Sequence, residues 1–360
     1  MSKNVKILAK KLISSLLTLA VLSSSVVISG NKNATESAEA ATTKADTITI
    51  SAAGDCTFGS DYTSPSSVNF YSVYNKQNNA YFFKKVRKVF KKDDMSIVNF
   101  EGVLTKRTTR ADKKYAFKGN PSYYKILKKG NIEAVAFANN HCRDYGTGSY
   151  DDTTKIFRKQ KIRYSSYSRV GTYKTKGRII GMVSVCGLEG YSYSAALVKA
   201  GIKKLKKKNA DIIIVSMHAG VEYQTTPEST QINLAHYAVE QGADLVLGHH
   251  PHILQGIEKY KGVFICYSLG NFCFGGNTNP REKDTMIFRK TFRFKKNGKV
   301  KKDNKARIVP CSLSGKSYIN NYQPVILKGS EKVRVIKKIN SYSKKYGVRF
   351  NKKGKFKLRK

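Results

Sequence analysis

The chain has 360 residues, of which 40% are hydrophobic, so it can fold as one large or two smaller domains, and wholesale disorder is excluded. Its 67 Lys and Arg against 24 Asp and Glu give a formal net charge of +43, which indicates a polyanionic partner. Residues 281–360 hold 27 Lys and Arg and 4 Asp and Glu, a net charge of +23. A solvated surface that only keeps the protein soluble is the alternative explanation.

The N-terminal segment, residues 1–40, has the pattern of a secretory signal peptide. A lysine-rich start precedes an apolar stretch from about Leu12 to Ile28, and "AEA" at 38–40 has the small-x-small form of a cleavage site. An uncleaved membrane anchor is the alternative, but the stretch is short for a spanning helix, which needs about 20 residues. Export predicts a secreted or cell-wall-associated protein. It makes nucleic acid a poor partner and favours an anionic polymer of the cell envelope.

After a linker at 41–47, apolar and amphipathic stretches alternate in the way that is typical of an α/β protein. The patterns predict strands in "TITISAAGD", "MSIVNFEG", "IEAVAFANNH", "GRIIGMVSVCGL", "ADIIIVSMH", "ADLVLGHH" and "VFICYSLGNF". They predict helices in "YFFKKVRKVFKK", "SYYKILKKG", "YDDTTKIFRKQKI", "LVKAGIKKLKKK" and "STQINLAHYAVEQG". The strands at 97–100, 132–138, 211–217 and 244–248 are apolar throughout, which predicts burial on both faces.

The pattern changes from about residue 284. The stretch "TMIFRKTFRFKKNGKVKKDNKARIVPCSL" alternates in two halves around an Asn-Gly turn, which predicts a hairpin that adds an edge or a second sheet. Residues 330–346 have the pattern of a basic helix, and a cationic tail follows. We therefore predict one main domain at 48–325 and a basic C-terminal helix and tail at 326–360.

Polar side chains follow the predicted strands at the points where the strands end. In open α/β sheets the ligand site forms outside the carboxyl ends of the strands, so groups from separate strands meet there. Five of the six histidines lie at such positions, which predicts a single polar site. The residues concerned are Asp55, Asn99, Glu101, Asn139, Asn140, His141, His218, His249, His250 and His252.

These residue types are suited to divalent metal ions. Two ions roughly 3.5–4 Å apart can clamp the attacking and leaving oxygens of a phosphoryl displacement. In "GHHPH" we expect an extended loop that points His250 and His252 the same way, into adjacent coordination positions. Each residue alone has a plainer explanation; Asp55, for example, could be a helix cap or a turn residue. His236 lies in the middle of a predicted helix and is assigned to packing or to the surface.

Seven short motifs occur in a fixed order. They are "GD" (54–55), "NFEGVLT" (99–105), "YAFKGNP" (115–121), "ANNHCRDYG" (138–146), "SMHAGVEY" (216–223), "GADLVLGHHPHILQGIE" (242–258) and "YSLGNF" (267–272). In this order they resemble the CapA family of bacterial capsule, or poly-γ-glutamate, synthesis proteins. The resemblance covers about residues 48–325.

The resemblance implies a fold similar to that of calcineurin-like metallophosphatases, a four-layer α/β/β/α sandwich with two mixed sheets. It implies a divalent metal, Mn, Zn, Fe or Mg, with the ligands Asp55, Glu101, Asn140, His218, His250 and His252. It implies a catalytic role beside the leaving group for His141 paired with Asp144. It also implies a role in substrate binding or in support of the ligands for Asn99, Asn139, Glu222, His249 and Asn271.

Two features of the sequence leave the chemistry open. Where metallophosphatases have Asp-x-His, the first motif reads Asp55-Cys56-Thr57, so the site could hold one ion or two. The six cysteines are scattered without a CxxC motif, so disulfide pairing cannot be read from their spacing.

Three functions follow as alternatives. The first is a metal-dependent phosphodiesterase, or another hydrolase or transferase, that acts on an anionic envelope polymer or its phosphorylated precursor. The second is a non-hydrolytic component of capsule assembly that works with the membrane proteins of capsule export. The third is a wall protein that binds poly-γ-glutamate or teichoic acid and keeps a vestigial site.

Overall fold

The computed structural model describes residues 44–61 and 67–358. The predicted signal peptide at 1–40 lies outside these residues. Within the described ranges, no helix combines the length and the apolar character that crossing a membrane requires.

The strands and helices alternate along the chain. The strands are β1 Thr47–Thr57, β2 Met95–Phe100, β3 Val103–Leu104, β4 Lys118–Gly119, β5 Ala134–Ala136, β6 Arg163–Ser165, β7 Gly171–Thr175, β8 Arg178–Cys186, β9 Ile212–His218, β10 Leu245–His249, β11 Ile257–Tyr260, β12 Val263–Cys266, β13 Asn271–Phe274, β14 Asp284–Arg293, β15 Ala306–Ser312, β16 Val325–Ile326, β17 Val348–Phe350 and β18 Phe356–Leu358. The helices are α1 Phe70–Lys76, α2 Arg87–Phe90, α3 Tyr124–Gly130, α4 Thr147–Lys159, α5 Tyr191–Lys207, α6 Ser229–Gln241 and α7 Gly329–Tyr342.

The first sheet is built around β1. Its strand order is β16-β15-β14-β1-β2-β5-β6, and β13 pairs with the end of β1. β1 runs parallel to β2, its first half pairs antiparallel with β14, and its last residues pair with β13. Because β14 and β15 pair antiparallel, the hairpin predicted from residue 284 extends this sheet at one edge.

The second sheet has the order β11-β12-β10-β9-β8-β7. Its central strands β12, β10, β9 and β8 run parallel, and the edge strands β11 and β7 are antiparallel to their neighbours. Since parallel strands end at the same edge, β8, β9 and β10 deliver their last residues side by side.

Large hydrophobic clusters fill the spaces between the layers. Ile97 of the first sheet and Leu247 of the second belong to the cluster between the sheets. The next residue along β2, Val98, faces the other way and packs with Leu127 of α3. Val198 of α5 packs on the outer face of the second sheet. The layers are therefore helices, sheet, sheet and helices, and the predicted α/β/β/α sandwich with two mixed sheets is confirmed.

Two segments differ from the sequence patterns. The helix predicted in "YFFKKVRKVFKK" is reduced to α2, and the turns before it bury Phe82 and Phe83 fully in the core. The segment expected to be a cationic tail contains β17 and β18. These strands pair antiparallel, and the ring centroids of Phe350 and Phe356 lie 6.0 Å apart. The predicted domain boundary at 325 stays a prediction.

Candidate metal centre

The site begins at the carboxyl end of β1, where the strand register shifts between Ala53 and Asp55. Gly54 permits this shift, because a Cβ atom at residue 54 would lie 1.7 Å from the carbonyl oxygen of Gly270. The backbone N–H of Asp55 donates to that same carbonyl at 3.0 Å. The absence of a side chain at residue 54 thus lets β1 approach Gly270 and holds Asp55 in place.

Asp55 is fully buried and interacts with several of the predicted site residues. Its Oδ1 accepts a hydrogen bond from Asn99 Nδ2 at 2.9 Å, and His249 Nδ1 lies 3.2 Å from the same oxygen. Its Oδ2 lies 3.4 Å from the backbone nitrogen of His250 and 3.6 Å from His252 Nδ1. Burial alone would raise the pKa of Asp55, but the contacts with His249 and His252 hold it well below the usual value.

Glu101 follows β2 and is also fully buried. Its Oε1 has no hydrogen-bond partner among the described residues, although His252 Nε2 and His141 Nε2 each lie 3.8 Å away. Burial raises the pKa of Glu101; the charge of His252 opposes this shift, and the charge of Asp55 adds to it. An orphaned carboxylate oxygen that faces two imidazoles is suited to a cation.

His250 and His252 reach the site in an unexpected backbone conformation. β10 ends at His249, and the φ angles of the two residues are 98° and 60°. The extended loop predicted for them is wrong, because both adopt positive φ, which is uncommon for residues other than glycine. Non-glycine residues persist in such conformations where the surrounding structure holds them, often at functional sites. Their rings lie 5.8 Å apart.

The imidazole of His252 lies between the two buried carboxylates. Burial alone would lower its pKa, but the charges of Glu101 and Asp55 and a hydrogen bond to Asp55 raise it to about 9. Asn271, predicted to support the ligands, has its Oδ1 2.9 Å from His252 Nδ1. The two buried carboxylates therefore favour the charged form of this imidazole.

Glu222 is a ligand candidate, whereas the sequence placed it only nearby. One group of side chains whose ligand atoms lie within 4.8 Å of one another consists of Glu222, His250 and His252. The other group, by the same measure, consists of Asp55, Glu101 and His252. Glu222 is exposed, and His250 Nδ1 is buried without a hydrogen-bond partner in the described structure. Burial and the charge of His252 lower the pKa of His250 to about 4, so its ring is neutral at pH 7.

His218 and the asparagines form a hydrogen-bonded chain through the site. His218 Nε2 lies 2.9 Å from Asn140 Oδ1, and its Nδ1 lies 3.3 Å from Asn99 Nδ2. Asn139 donates to Asn99 Oδ1 at 3.3 Å and to the carbonyl of Phe100 at 2.8 Å. Both ring nitrogens of His218 are therefore engaged. Within the described residues, His218 belongs to neither of the two groups of ligand atoms.

His141 and Asp144 form a pair, as predicted, and Lys113 joins them. His141 Nδ1 lies 2.6 Å from Asp144 Oδ2. Lys113 donates to Asp144 Oδ1 at 2.9 Å and to the carbonyl of Asn140 at 2.8 Å. The backbone N–H of Phe117 also donates to Asp144. Burial lowers the pKa of His141, against the opposing effect of Asp144. The imidazole is thus oriented by a carboxylate that other donors hold in place.

A cleft of about 340 Å³ opens onto this site and gives a substrate access to His141 and His252. The lining that lies outside the predicted set includes Ser60, Tyr115, Phe117, Tyr223, Phe274, Gly275, Gly276, Asn277 and Thr278. Tyr115 and Tyr223 are about half exposed, at 49% and 56%. They form an aromatic rim that sequence reasoning missed: Tyr115 begins the motif "YAFKGNP" and Tyr223 ends "SMHAGVEY", but nothing in either motif indicates that its tyrosine lines a cleft.

The residues present fit a divalent cation. Two buried carboxylates, a buried oxygen without a partner and neutral or carboxylate-paired imidazoles are the donor set of Zn²⁺, Mn²⁺ or Fe²⁺ sites. Asp55, Glu101 and His252 come from three separate strand ends, which the parallel sheets bring to one place.

The remaining histidine and the cysteines lie apart from this chemistry. His236 of α6 contacts Glu258 at 2.9 Å and stacks on Tyr260 at 3.7 Å, in agreement with the predicted packing role.

All six cysteines lie in the described ranges as buried free thiols. Burial raises the pKa of Cys56 and of Cys142, the cysteines beside Asp55 and His141, so both thiols stay protonated at neutral pH.

Comparison with known proteins shows the family of this chain. Residues 49–276 match the family described as Bacterial capsule synthesis protein PGA_cap. The chain therefore belongs to this family, and the resemblance noted in the sequence is confirmed.

Curated relatives carry the same kind of name. Over 237 residues the chain is 33% identical to the PGA biosynthesis protein CapA of Bacillus subtilis, a match that covers 60% of this chain and 62% of that one. It is 30% identical over 241 residues to the capsule biosynthesis protein CapA of Bacillus anthracis, covering 60% and 58%. A probable polyglutamine synthesis accessory protein of Mycobacterium tuberculosis is 26% identical over 233 residues, covering 54% and 60%. The chain thus spans about three fifths of the length of these relatives.

Proposed function

We propose that this protein is an exported accessory factor for synthesis, assembly or export of an anionic capsular polymer of the poly-γ-glutamate type, and that it carries a divalent-metal site. Membership of the capsule synthesis family supports the role in polymer assembly. The observation that carries the metal site is Glu101 Oε1, which is fully buried, lacks a hydrogen-bond partner within the described structure and faces two imidazoles.

In this proposal each of the two groups of ligand atoms provides one metal position. Asp55, Glu101 and His252 hold a buried ion, and His250 with Glu222 offers a second position at the mouth of the cleft. A bound divalent ion would supply the positive charge that stabilises a phosphoryl group during transfer or hydrolysis.

His141, oriented by Asp144, is the group that we expect to transfer a proton. Asp144 orients His141 through Nδ1, which leaves Nε2 directed toward the site, 3.8 Å from Glu101 Oε1. His141 is therefore placed to move a proton to or from a substrate oxygen in the cleft. Lys113 keeps Asp144 in position, and the tyrosines of the rim provide flat surfaces for a substrate.

The test measures metal content and phosphodiesterase activity of the purified protein after loading with Mn²⁺ or Zn²⁺. We expect His250→Ala to lose the ion at the mouth of the cleft, to keep the ion held by Asp55, Glu101 and His252, and to lower hydrolysis of a bis-aryl phosphate on the order of 10²-fold. His236→Ala is the matched control, because it removes the same side chain from a helix outside the site.

Two results would contradict the enzymatic part of the proposal. One is the absence of bound metal in the loaded wild-type protein. The other is hydrolysis that is the same in wild type and His250→Ala. The export part is tested separately by the mature N-terminus of the protein recovered from the host, which should lie near residue 41.

A second candidate, a non-catalytic polymer-binding protein, is favoured by the net charge of +43. It predicts that the host loses surface polymer when the gene is deleted and regains it with the His250→Ala variant. Membrane proteins of capsule export are the partners expected in either case.

A further inference from the structure

A cleft of about 670 Å³ lies on the outer face of the first sheet, away from the metal centre. We call it the cationic cleft, and its charged lining is Arg289, Arg293, Asp303, Lys305, Arg307 and Lys355. The helix layer covers this face only near the carboxyl end of β1, where Ala53 packs in the helix-side core. Near the start of β1, Thr49 lines the cleft instead, so the sheet face there is left without a helix.

The strand register places three cations in one row across this face. Arg289 of β14 pairs with Arg307 of β15, and Arg307 pairs in turn with Lys355 through an isolated bridge. Paired residues on neighbouring strands project from the same face, about 4.5–5.5 Å apart. Like charges in such positions repel each other, so the row destabilises the sheet unless something compensates.

The protein itself supplies little compensation. Asp303, the only carboxylate in the cleft lining as described, is already engaged by Lys290 at 2.8 Å and Arg293 at 2.6 Å. Among the described residues, no carboxylate forms an ion pair with Arg289, Arg307 or Lys355.

Arg289 is held in the row by neutral groups. Its Nε donates to Ser51 Oγ at 3.1 Å, and its guanidinium donates to the carbonyl of Lys92 at 2.7 Å. Of the two acidic groups whose charge acts on Arg289, Asp94 is already paired with Lys176 at 2.6 Å, and burial raises the pKa of Asp93 to about 7. That carboxyl is therefore only partly charged at neutral pH, and the row keeps most of its positive charge.

The cationic cleft and the metal centre lie along the same strand. Thr49 lines the cleft and Asp55 belongs to the metal centre, six residues further along β1, which is roughly 20 Å at the rise of a β-strand. One extended polymer chain is long enough to reach both places, whereas a small ligand could occupy only one.

We propose that the cationic cleft binds a segment of an extended polycarboxylate chain and holds the polymer while the metal centre acts elsewhere on it or on its precursor. The choice of polymer rests on the proposed function, whereas the cleft and its charge do not. Arginine fits this role because its planar guanidinium donates two parallel hydrogen bonds to one carboxylate. Anionic side chains placed along the row would remove the repulsion that the protein leaves uncompensated.

The test compares two double charge reversals that alter the net charge by the same amount. Arg307→Glu with Lys355→Glu changes two exposed cations of the cleft. Lys199→Glu with Lys203→Glu changes two exposed cations one turn apart on α5 and serves as the control. Affinity for a fluorescent poly-γ-glutamate oligomer is measured by anisotropy at low and at physiological salt. We expect the cleft variant to lose affinity on the order of tenfold or more, and the control to lose about twofold or less.

Equal losses in the two variants would overturn the proposal, since net charge alone would then explain binding. Failure of the wild type to bind the oligomer at low salt would overturn it as well. A glycerol phosphate polymer is the second probe. If the cleft reversals weaken its binding and leave poly-γ-glutamate binding unchanged, the polycarboxylate assignment is wrong. Thermal unfolding verifies that each variant folds, and Arg307→Gln replaces the reversal if it does not.

The metal-site variant separates this inference from the proposed function. His250 follows β10 and lies near the carboxyl end of β1, with its backbone nitrogen 3.4 Å from Asp55 Oδ2, so His250→Ala should bind the oligomer as the wild type does. If hydrolysis is absent while binding depends on the cleft, the polymer site stands and the enzymatic function falls. If hydrolysis is present while the cleft reversals leave oligomer binding unaffected, the enzymatic function stands and the polymer site falls.

Discussion

The two ends of β1 differ in whether the charged side chains near them are paired. At its carboxyl end, Asp55 is fully buried, and its carboxylate is matched by Asn99, His249 and His252 within 3.6 Å. Near its start, Arg307 and Lys355 are exposed and stand side by side without carboxylate partners in the described structure. The first region orders charges before any ligand arrives, whereas the second leaves them for a ligand to neutralise.

This difference determines how each region responds to change. Buried charges act over short distances in a low effective dielectric, so the loss of one partner leaves another uncompensated, at a cost of several kcal/mol. Exposed charges are screened by water and salt, so single changes there are small and roughly additive. Substitutions at the candidate metal centre should therefore alter stability and function together. Substitutions in the cationic cleft should alter binding with little effect on stability.

The largest effect is expected for Asp55→Ala. Removal of this carboxylate takes from His252 one of its two buried carboxylate neighbours and from the Asn99 amide the acceptor at 2.9 Å. We expect a loss of about 3–5 kcal/mol in the free energy of unfolding, together with loss of metal binding. Urea unfolding with and without Mn²⁺ measures both. Asp55→Asn is the control for shape, and a loss below about 1 kcal/mol in Asp55→Ala would contradict the view that this carboxylate organises the site.

Gly54→Ala is expected to have the next largest effect. Its Cβ would lie 1.7 Å from the carbonyl oxygen of Gly270, so β1 must move away from β13. We expect a loss of about 2–3 kcal/mol in the free energy of unfolding and weaker metal binding, because Asp55 moves with the strand. Gly298→Ala provides a control in a turn where a Cβ would meet nothing within 4 Å, although its φ of 77° adds some strain. Since Gly54 has no positive φ, equal losses in the two variants would mean that the contact with Gly270 costs no more than the backbone strain at residue 298, which would contradict the predicted clash.

Much of the candidate metal centre could be predicted from the sequence, because its residues follow the carboxyl ends of apolar strands. The strand ends of β2, β9 and β10 place Glu101, His218 and His249 as the patterns indicate. The conformation of His250 and His252 could not be predicted, since their positive φ angles depend on tertiary contacts around the loop.

Lys113 and the cationic cleft could not be predicted from the sequence either, because only the folded chain brings the residues concerned together. Lys113 lies in a loop, and only the folded chain brings it to Asp144, 31 positions away. The row of Arg289, Arg307 and Lys355 depends on strand register, and alternation alone does not fix register. The total charge predicted a polyanionic partner, but its location required the paired strands.

A smaller effect, one that links stability to binding, is expected for Asp303→Asn. Burial would raise the pKa of Asp303, but Lys290 and Arg293 lower it to about 2. Because this lies below the ordinary value near 3.9, the stabilisation is complete above that value and is lost as the pH falls from about 5 to about 2. We expect wild type to exceed the variant by about 1 kcal/mol at pH 6, after allowance for solvent screening, and by less at pH 3.

The same variant should bind the poly-γ-glutamate oligomer more tightly, since Arg293 then loses its ion pair and adds to the charge of the cationic cleft. Urea unfolding at the two pH values and oligomer anisotropy at pH 7 are the measurements. A stability difference that grows as the pH falls would contradict the assigned sign.

The smallest effect concerns repulsion within the row itself. Arg307→Gln removes one of two like charges that face each other across β14 and β15, so we expect a gain of about 0.2–0.5 kcal/mol in stability at low salt. A double-mutant cycle with Arg289→Gln isolates this repulsion: each single variant already removes it, so the double variant should gain less stability than the sum of the two single gains. In 1 M salt, where the Debye length is about 3 Å, the coupling should vanish. A stabilising coupling that resists salt would instead mean that the two guanidinium groups stack favourably, and the row would no longer require a ligand to balance it.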